Sequence, residues 1–588
     1  MAESNASMAA NNAPEGTVSA TLSLGAQYES LDAIRSMVRE LAIKSHVELR
    51  LVKSDRSRYT VVCKTEGCLW RLHASLISGG PGCVIKALHD EHTCGGASQL
   101  GNKEATAEWV ASRYVEKLRD HPMYRPKELM ADLRRDLGVS ISYKVAWKAK
   151  QHALGIIHGD HAKSYGKLQS YCNKLVASNP GTVAHVQQTI EGRFCRMFLA
   201  FGACITGFSH CRDFIGLDGT FLTSKYLGAL LTATGIDAMG ALFPIAFGVV
   251  DAENEDNWVW FLQNVRDCMA SVNAITFVSD KQKGLLQAVE LVFTGCEHAY
   301  CMRHLDANLK KKCNNGEFIR LFWVAAYAST TIDYDETILG MKAISPVATE
   351  YLLSMSPPSH WATTHFKGKR YGHLTSNIAE SLNSWLLEAR DKPIISMLDI
   401  IRRQLTAWFY ARGREGKKVY ESLGDRAQFA LVANVEKNLR EVGNRARQYR
   451  ILPSSDTVFE ILTSKRTCVV DVRTRLCSCN KWQTFEIPCA HAVAAILFKR
   501  ESVQSYVHKA YTVQAYCDSY CGVINPIVDA CEDANDQMKP PATRRPPGHP
   551  KKLRIRTEER FKEKRIFTCS RCGGLGHNER TCKAPIAD

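Results

Sequence analysis

The stretch Phe214-Ile215-Gly216-Leu217-Asp218-Gly219-Thr220-Phe221 is an apolar segment interrupted by a single acid, Asp218. A second apolar segment, Ile275-Thr276-Phe277-Val278-Ser279-Asp280, carries its acid at the carboxyl end and precedes apolar residues at helical spacing. Both segments predict buried strands of an α/β sheet, in which strand carboxyl ends gather at the ligand crevice. We therefore expect Asp218 and Asp280 to meet there. Two adjacent carboxylates repel each other unless a cation binds between them, and Mg²⁺ suits them because it prefers oxygen ligands.

A third acid is expected from the segment 376–385, where apolar residues recur at helical spacing. Glu380 and Asn383 share the polar face of this predicted helix. Glu350 and Glu388 are competing candidates nearby. An Asp, Asp, Glu set that holds two metal ions would activate a water or a 3′-hydroxyl for in-line attack at phosphorus.

Composition limits the class of protein. The chain has 588 residues, enough for about four domains, and 45% hydrophobic with 23% charged residues excludes a disordered or fibrous chain. The net charge of +16 favours a polyanionic partner, either nucleic acid or an anionic membrane surface. The longest apolar stretch, 226–250, is interrupted by Gly235, Asp237 and Pro244, which argues against a membrane span. We expect a soluble, intracellular, multidomain α/β protein.

The 22 cysteines follow no recognisable secretion signal, so they predict metal ligands and buried thiols rather than a disulfide framework. Three clusters have spacings that supply four nitrogen and sulfur ligands, the set that tetrahedral zinc needs. They are Cys63-x4-Cys68-x23-His92-x-Cys94, Cys477-x-Cys479-x9-Cys489-x-His491 and Cys569-x2-Cys572-x4-His577-x4-Cys582. Structural cysteines without metal are the alternative at each cluster. The second cluster resembles a SWIM zinc finger, and the third resembles a CCHC zinc knuckle, which binds single-stranded nucleic acid.

Two predicted helices, 126–137 and 143–154, are separated by a turn at Gly138. Ser140 or Ser142 can cap the second helix. A short turn followed by a basic helix suits insertion into a major groove, but an ordinary helical hairpin with a solvated charged face has the same pattern. The candidate DNA-binding residues on the second helix are Lys144, Lys148 and Lys150.

The order of these features resembles that of a plant-type Mutator-like element (MULE) transposase over nearly the whole chain. The motifs that carry the resemblance, besides the clusters, are Leu217–Phe221, Asn257–Phe261, Ser279–Leu285, Cys301-Met302-Arg303-His304 and Asn377–Asn383. The resemblance implies an RNase H-like DDE catalytic core with a helical insertion at about 305–372. It also implies Asp218, Asp280 and Glu380 as catalytic acids that hold two Mg²⁺ or Mn²⁺ ions, three structural zinc ions, and nuclear localisation.

The family further implies binding of double-stranded DNA at terminal inverted repeats and DNA strand cleavage and transfer, with a homo-oligomer on the DNA. Cys301 and His304 are expected to pack beneath the site and support it rather than to ligate metal. A domesticated, far-red-impaired-response-like transcriptional regulator that has lost transposition is the alternative. An RNA-binding protein led by the zinc knuckle is a third, more distant hypothesis.

The resulting domain prediction combines the clusters with changes in composition. It comprises a disordered lead (1–22), a WRKY–GCM-like zinc DNA-binding domain (23–98), a helix-turn-helix-like region (99–160), a helical connector (161–210), the core (211–395), a helical region (396–450), the SWIM finger (451–500), a helical or irregular region (501–538), a basic Pro-rich linker (539–566) and the knuckle (567–588). Lys551 and Lys552 of the linker are further candidates for phosphate contacts.

Overall fold

The computed structural model describes residues 22–95, 102–121, 124–269, 275–282, 284–464, 466–527 and 538–542. The chain divides into two compact units. The first comprises Met1–Gly181, Lys392–Arg414 and Val523–Pro540, and the second comprises Thr182–Asp391, Glu415–Gly522 and Pro541–Asp588. Both contain sheets and helices, so the predicted multidomain α/β class is confirmed. Lys551, Lys552 and the third cluster (Cys569, Cys572, His577, Cys582) lie outside the described residues, as do nearly all of the predicted lead (1–22) and most of the predicted basic linker (539–566).

An antiparallel sheet covered by one helix begins the first unit. Its elements are β1 (Gln27–Tyr28), α1 (Leu31–Lys44), β2 (Leu49–Ser54), β3 (Arg58–Cys63), β4 (Arg71–Leu76) and β5 (Cys83–His89). The strand order is β1-β5-β4-β3-β2. Alternate residues of β3 (Tyr59, Val61 and Cys63) are buried in one core with Ile34 and Val38 of α1, as the two-residue period of a strand requires.

The predicted helix pair of the first unit belongs to a cluster of three helices, α2 (Ala107–Asp120), α3 (Pro126–Leu137) and α4 (Tyr143–His158). Gly138 ends α3 in the left-handed conformation with φ of 65°, which a residue without Cβ adopts at little cost. Ser142 caps α4 by accepting a hydrogen bond from the Val145 N–H at 3.3 Å. Two short helices follow, α5 (His161–Gly166) and α6 (Leu168–Ser178).

A mixed sheet is the centre of the second unit. Its strands and the helices between them are β6 (Val183–Gln188), β7 (Phe194–Ala200), α7 (Gly202–Phe208), β8 (Arg212–Phe221), β9 (Ala229–Ile236), β10 (Leu242–Val250), α8 (Glu255–Asp267), β11 (Thr276–Ser279), α9 (Leu285–Val292) and β12 (Glu297–Tyr300). The order is β12-β11-β8-β9-β10-β7-β6. The prediction of a purely helical connector at 161–210 is wrong, because β6 and β7 extend this sheet. Strand β6 carries polar residues at exposed positions, which hides the strand pattern. Strand β7 is a short, largely buried apolar run, which periodicity alone does not distinguish from a buried helix.

Strand β8 lies between an antiparallel and a parallel neighbour. It pairs antiparallel with β9 and parallel with β11, and β11 pairs parallel with β12. Every residue of β9 is buried, because a sheet covered on both faces selects a continuous apolar run instead of alternation. Pro244 of β10 lies at a shift in register, where a missing N–H is tolerated.

Helices follow β12 and build a separate apolar core that contains Phe318, Phe322 and Trp361. They are α10 (Met302–Lys312), α11 (Gly316–Tyr327), α12 (Thr331–Ile344) and α13 (Pro346–Met355), followed by α14 (Asn377–Trp385), α15 (Ile394–Leu423) and α16 (Ala433–Ala446). Helices α10 to α13 fall largely in the segment where the insertion is predicted. Helix α14 packs across β8, β9 and β10.

A small sheet with two helices follows α16. Its elements are β13 (Arg450–Pro453), β14 (Val458–Leu462), β15 (Thr467–Asp471), β16 (Leu476–Cys477), α17 (Lys481–Phe485) and α18 (Ala490–Phe498), and α19 (Val513–Ser519) comes after them. The strand order is β13-β14-β15-β16. Within the described ranges, no helix combines the length and apolar character of a membrane span.

Candidate active site and metal centres

Asp218 lies near the carboxyl end of β8, and Asp280 directly follows the last residue of β11. Parallel pairing joins Gly216 of β8 to Val278 of β11, and each acid lies two residues further along the chain. Adjacent strands are about 4.8 Å apart, so the backbones of the two aspartates are neighbours. The sequence predicts the same placement.

Helix α14 approaches β8 closely because Gly216 has no side chain. A Cβ at Gly216 would lie 3.1 Å from Ile378 and 3.5 Å from Ala379 of α14. Asp218 points to the same face of the strand as Gly216, and Asn383 Nδ2 of α14 donates a hydrogen bond to Asp218 Oδ2 at 2.8 Å. The Oδ1 atom of Asn383 is buried and has no hydrogen-bond partner among the described residues.

Glu380 lies on α14 three residues before Asn383, and therefore on the same helix face. Arg303 Nη1 donates to Glu380 Oε2 at 3.3 Å and to Asn377 Oδ1 at 3.0 Å. The Glu380 side chain is 26% exposed. The predicted polar face of α14 thus forms. Asn383 on this face bonds to Asp218, and Asn377 and Glu380 bond to Arg303 of α10.

The acids repel one another when no cation lies between them. Burial raises the pKa of Asp218 to about 6, and the negative charges of Asp280 and Glu380 act in the same direction. The competing glutamates Glu350 and Glu388 are exposed at the surface. Of the three candidates for the third acid, Glu380 is therefore the one that the fold brings to Asp218.

Glu380 also belongs to a tighter group with Cys301 and His304. One ligand atom from each of these residues lies within 4.8 Å of the other two. Among the described residues, Asp218 and Asp280 do not belong to a group as tight as this. A site for two metal ions about 4 Å apart needs a wider separation between its carboxylates than a site for one ion does. Repulsion between the carboxylates also widens that separation.

The Cys301 thiol and the His304 imidazole shift each other's pKa. Cys301 is fully buried and its Sγ accepts a hydrogen bond from the Ser376 N–H at 3.3 Å. Burial opposes ionisation of the thiol, but the hydrogen bond and charge of His304 lower the pKa of Cys301. The bond to Cys301 raises the pKa of His304, and the charges of Asp280 and Glu380 raise it further. His304 is therefore a basic side chain close to the acids.

Sequence reasoning missed His298, which positions the end of β11. The Ser279 hydroxyl donates to the Asp280 carbonyl at 2.7 Å and bonds to His298 Nε2 at 2.8 Å. Burial lowers the pKa of His298 to about 3, so the ring is neutral and its Nε2 donates to the hydroxyl. A lone histidine on a strand gives no sequence signal for this role.

Sequence reasoning also missed Glu253, in the connection between β10 and α8. A Cβ at Gly219 would lie 2.2 Å from one Glu253 carboxylate oxygen and 2.9 Å from the other. Burial raises the pKa of Glu253 to about 7, and the charges of Asp280 and Asp218 raise it further. A fourth acid therefore lies beside the two aspartates, on a segment that matches no expected motif.

The first cysteine cluster comes together at one end of the sheet in the first unit. Cys63 Sγ lies 3.6 Å from Cys94 Sγ, and His92 Nδ1 lies 3.5 Å from Cys68 Sγ and 3.8 Å from Cys94 Sγ. Ligands about 2.3 Å from a tetrahedral zinc are separated by distances of this size. Trp70 stacks on His92 with 4° between the rings, which restricts the ring orientation.

The second cluster is equally compact. Cys479 Sγ lies 3.4 Å from Cys477 Sγ and 3.5 Å from Cys489 Sγ, and His491 Nδ1 lies 3.7 and 3.8 Å from Cys477 and Cys489. Tyr449 stacks on His491 at 5.4 Å. Among the described residues the cysteines form no disulfide.

The small sheet that carries the second cluster is attached to the α/β part of the second unit. Lys369 Nζ lies 2.7 Å from Glu486 Oε1, and Arg466 makes a two-pronged contact with Asp333 at 3.1 Å. The Tyr371 N–H donates to the carbonyl of Thr484 at 3.3 Å. These contacts reach the segment that leads into α14.

The lysines predicted to bind DNA do not share one environment. Lys144 and Lys148 are exposed on α4, next to the exposed rings of Tyr143 and Trp147. Lys150 is half-buried and donates to the Tyr124 carbonyl, so its ammonium is already engaged. The aromatic and basic face of α4 is the part of the three-helix cluster suited to a nucleic acid.

Family models match three segments of the chain. They describe a MULE transposase domain over residues 214–308, a MuDR family transposase over residues 19–83 and a SWIM zinc finger over residues 467–499. The first segment contains both aspartates and the Cys301–His304 pair, and the third contains the second cluster. Together the matches support a MULE-type transposase-like protein, and the resemblance recognised in the sequence is confirmed.

Two curated relatives from Arabidopsis thaliana are similar to parts of the chain. Protein FAR1-RELATED SEQUENCE 5 is 26% identical over 150 residues, which is 25% of this chain and 19% of the relative. Protein FAR1-RELATED SEQUENCE 6 is 23% identical over 221 residues, which is 36% of this chain and 31% of the relative. The chain thus spans less than a third of the length of either relative, and both fit a transposase-derived group.

We predict that Asp218→Asn stabilises the metal-free protein at pH 8 by up to about 3 kcal/mol. The raised pKa of Asp218 means that the native state loses stability as the pH rises from about 4 through 6, while the unfolded chain ionises freely. The gain should shrink as the pH falls toward 4. Thermal unfolding at several pH values, without Mg²⁺ or Mn²⁺ in the buffer, measures this gain in stability. An equal gain at pH 8 and pH 4.5 contradicts the prediction.

We predict that Cys479→Ala removes one zinc ion per chain, because three remaining ligands do not close a tetrahedral site. Metal analysis of the purified protein should give three zinc ions for the full chain and two for a chain ending at residue 542. Cys468→Ala is the matched control, since Cys468 is equally buried in β15 but lies outside the cluster. Unchanged zinc content in Cys479→Ala contradicts the assignment.

Proposed function

We propose that this protein is a DNA transposase that binds terminal inverted repeats and performs metal-dependent strand cleavage and transfer. The observation that carries the proposal is the parallel pairing of β8 with β11, which makes Asp218 and Asp280 neighbours. Asn383 docks the helix of Glu380 on Asp218. The match to a MULE transposase domain over both aspartates adds support. The same features favour an RNase H-like DDE core with α10 to α13 as its helical insertion.

The donors at the end of β8 and β11 fit two Mg²⁺ or Mn²⁺ ions. Carboxylate oxygens of Asp218, Asp280 and Glu380 would hold them, and the buried Asn383 Oδ1 is an oxygen donor that no described residue satisfies. Bound ions supply Lewis-acid stabilisation at phosphorus and an activated water or 3′-hydroxyl. The chain's own part is positioning: Asn383 orients Asp218, and the basic side chain of His304 lies close to the acids.

Zinc is the metal that we propose for the cysteine clusters. Their sulfur and nitrogen donors suit it, and the SWIM zinc finger match covers the second cluster. In the first cluster zinc would staple β3 to the segment after β5, beside the region matched by the MuDR family transposase model. We further propose that the protein acts in the nucleus and assembles as a homo-oligomer on DNA.

We propose that α4 reads duplex DNA and that the knuckle does not supply sequence specificity. Lys144→Ala and Lys148→Ala should each weaken binding and lower the slope of log affinity against log salt by about one, because each removes one phosphate contact. Fluorescence anisotropy with a terminal-repeat duplex measures both quantities. Deletion of residues 567–588 should leave duplex specificity largely intact.

Lys163→Ala is the matched control for these variants. It removes one exposed charge from α5 in the same unit, so it should leave the salt slope unchanged. Complete loss of duplex specificity in the 567–588 deletion would sink the assignment to α4.

A second candidate function is that of a domesticated, far-red-impaired-response-like transcriptional regulator without transposition. The partial similarity to the two FAR1-related relatives fits a regulator as well as it fits a transposase. Such a protein needs the zinc modules and α4 but no cation at Asp218. The third hypothesis, an RNA-binding protein, depends on a knuckle that lies outside the described residues.

We predict that Asp280→Asn and Glu380→Gln lower strand cleavage by orders of magnitude. Each substitution nearly preserves shape but removes a charge that would hold the cation and the attacking oxygen. Binding to the terminal repeats should hardly change, because the positive surfaces that contact phosphate lie elsewhere. A cleavage assay on a labelled terminal-repeat duplex with Mg²⁺ or Mn²⁺, run beside the binding assay, separates the two effects.

Glu388→Gln is the matched control for Glu380→Gln, since Glu388 is exposed just beyond α14. If Glu380→Gln cuts normally while Glu388→Gln is inactive, the third acid is misassigned. If the unmodified protein never cuts with either metal, the regulator becomes the better account.

A further inference from the structure

We propose that Glu253 is a fourth carboxylate of the cation site, so that the chain holds its divalent ions with Asp218, Asp280, Glu380 and Glu253. The inference rests on the proposed function, because it assigns an additional ligand to that same site. It concerns a residue outside the motifs by which the site is recognised.

The carboxylate of Glu253 occupies the space that a side chain at residue 219 would take. Gly219 follows Asp218 directly, and its N–H donates to Asp218 Oδ1 at 3.0 Å. A Cβ on Gly219 would meet the Glu253 carboxylate at 2.2 to 2.9 Å. Asp218 and Glu253 therefore both lie against the backbone of one residue.

The connection that carries Glu253 is held against the loop that carries Asp280. Gln282 links the two, since its Nε2 lies 3.5 Å from the Glu253 carbonyl and its Oε1 accepts from Trp258 Nε1 at 3.3 Å. A Cβ at Gly284 would lie 2.8 Å from the backbone nitrogen of Glu255. The two loops thus approach without intervening side chains, and Glu253 keeps its place relative to both aspartates.

A structural ion pair is the ordinary explanation for a half-buried glutamate, and here it fails. Among the described residues, no lysine, arginine or histidine forms an ion pair with Glu253, whereas Glu380 has Arg303. A second, independent feature points to a missing ligand. The side chain of Asn383 is 8% exposed and bonds Asp218, yet its Oδ1 lacks a partner within the described residues. In the part of the chain that the structure describes, the Glu253 carboxylate has only the neutral side chains of Trp258 and Gln282 as hydrogen-bond partners. A cation among the acids would give it a positive partner, and an oxygen donor such as Asn383 Oδ1 suits the same kind of ion.

Binding of Mn²⁺ to the zinc-loaded full-length protein tests the proposal without any assay of activity. Isothermal calorimetry should show that Glu253→Gln weakens Mn²⁺ binding by about tenfold or more, as loss of a supporting ligand does in metal sites. Glu255→Gln is the matched control. It is an exposed glutamate two residues away and should bind Mn²⁺ like the unmodified protein.

Gly219→Ala provides a second route to the same site. The new methyl group at residue 219 would meet only the carboxylate end of the flexible Glu253 side chain. The protein should therefore fold, with the Glu253 carboxylate displaced from this position. It should weaken Mn²⁺ binding as Glu253→Gln does, and the double variant should be no worse than either single one. Circular dichroism and zinc content verify the fold of each variant.

The outcomes distinguish this inference from the proposed function. If Asp218→Asn abolishes Mn²⁺ binding while Glu253→Gln and Gly219→Ala bind like the control, Glu253 is not a ligand and the three-acid site stands. If the unmodified protein binds no Mn²⁺, the proposed function fails and this inference fails with it. Loss of affinity in Glu253→Gln and Gly219→Ala alone, with Glu255→Gln unchanged, supports the fourth carboxylate.

Discussion

Repulsion between two carboxylates is the constraint on which the second unit depends. The parallel register of β8 and β11 makes Asp218 and Asp280 neighbours, and nothing in a sheet relieves that repulsion. The surrounding elements do so partly: α14 brings the Asn383 amide, and α10 brings His304, whose pKa is raised by Cys301 and by the nearby acids. A site organised in this way is incomplete as protein alone, since Asp218 still titrates near pH 6.

Two glycines on either side of Asp218 determine which elements can reach it. Gly216 admits α14 to one face of β8, and Gly219 admits the carboxylate of Glu253. Because side chains alternate along a strand, the two glycines open different faces of β8. The short motif Leu217-Asp218-Gly219 therefore does more than supply one acid. The glycine after Asp218 leaves the space that the Glu253 carboxylate occupies.

The fold could be predicted where one physical signal dominates. Continuous apolar runs predict β8 and β11 and the meeting of their acids, and ligand spacing predicts both described cysteine clusters. Strand β6 was missed because its exposed polar residues leave no clear period, and β7 was missed because a short buried apolar run also fits a helix. Glu253 and His298 escaped because their roles depend on tertiary contacts between segments distant in sequence. Lys150 shows the converse limit, since a basic residue at the expected spacing is engaged with the Tyr124 carbonyl instead.

The cost of the acids bears on the choice between a transposase and a regulator. A carboxylate buried beside others of like charge destabilises the native state. Substitutions that remove such repulsion stabilise the protein and are easily found. A regulator that only binds DNA gains nothing from Asp218, Asp280, Glu253 and Glu380 together, because the zinc modules and α4 do not need them. This chain has all four acids in one region. Asn383 donates a hydrogen bond to Asp218, and the basic side chain of His304 lies close to Asp280 and Glu380. Functional sites are where a protein retains features that lower its stability, so the arrangement favours a site that uses a cation.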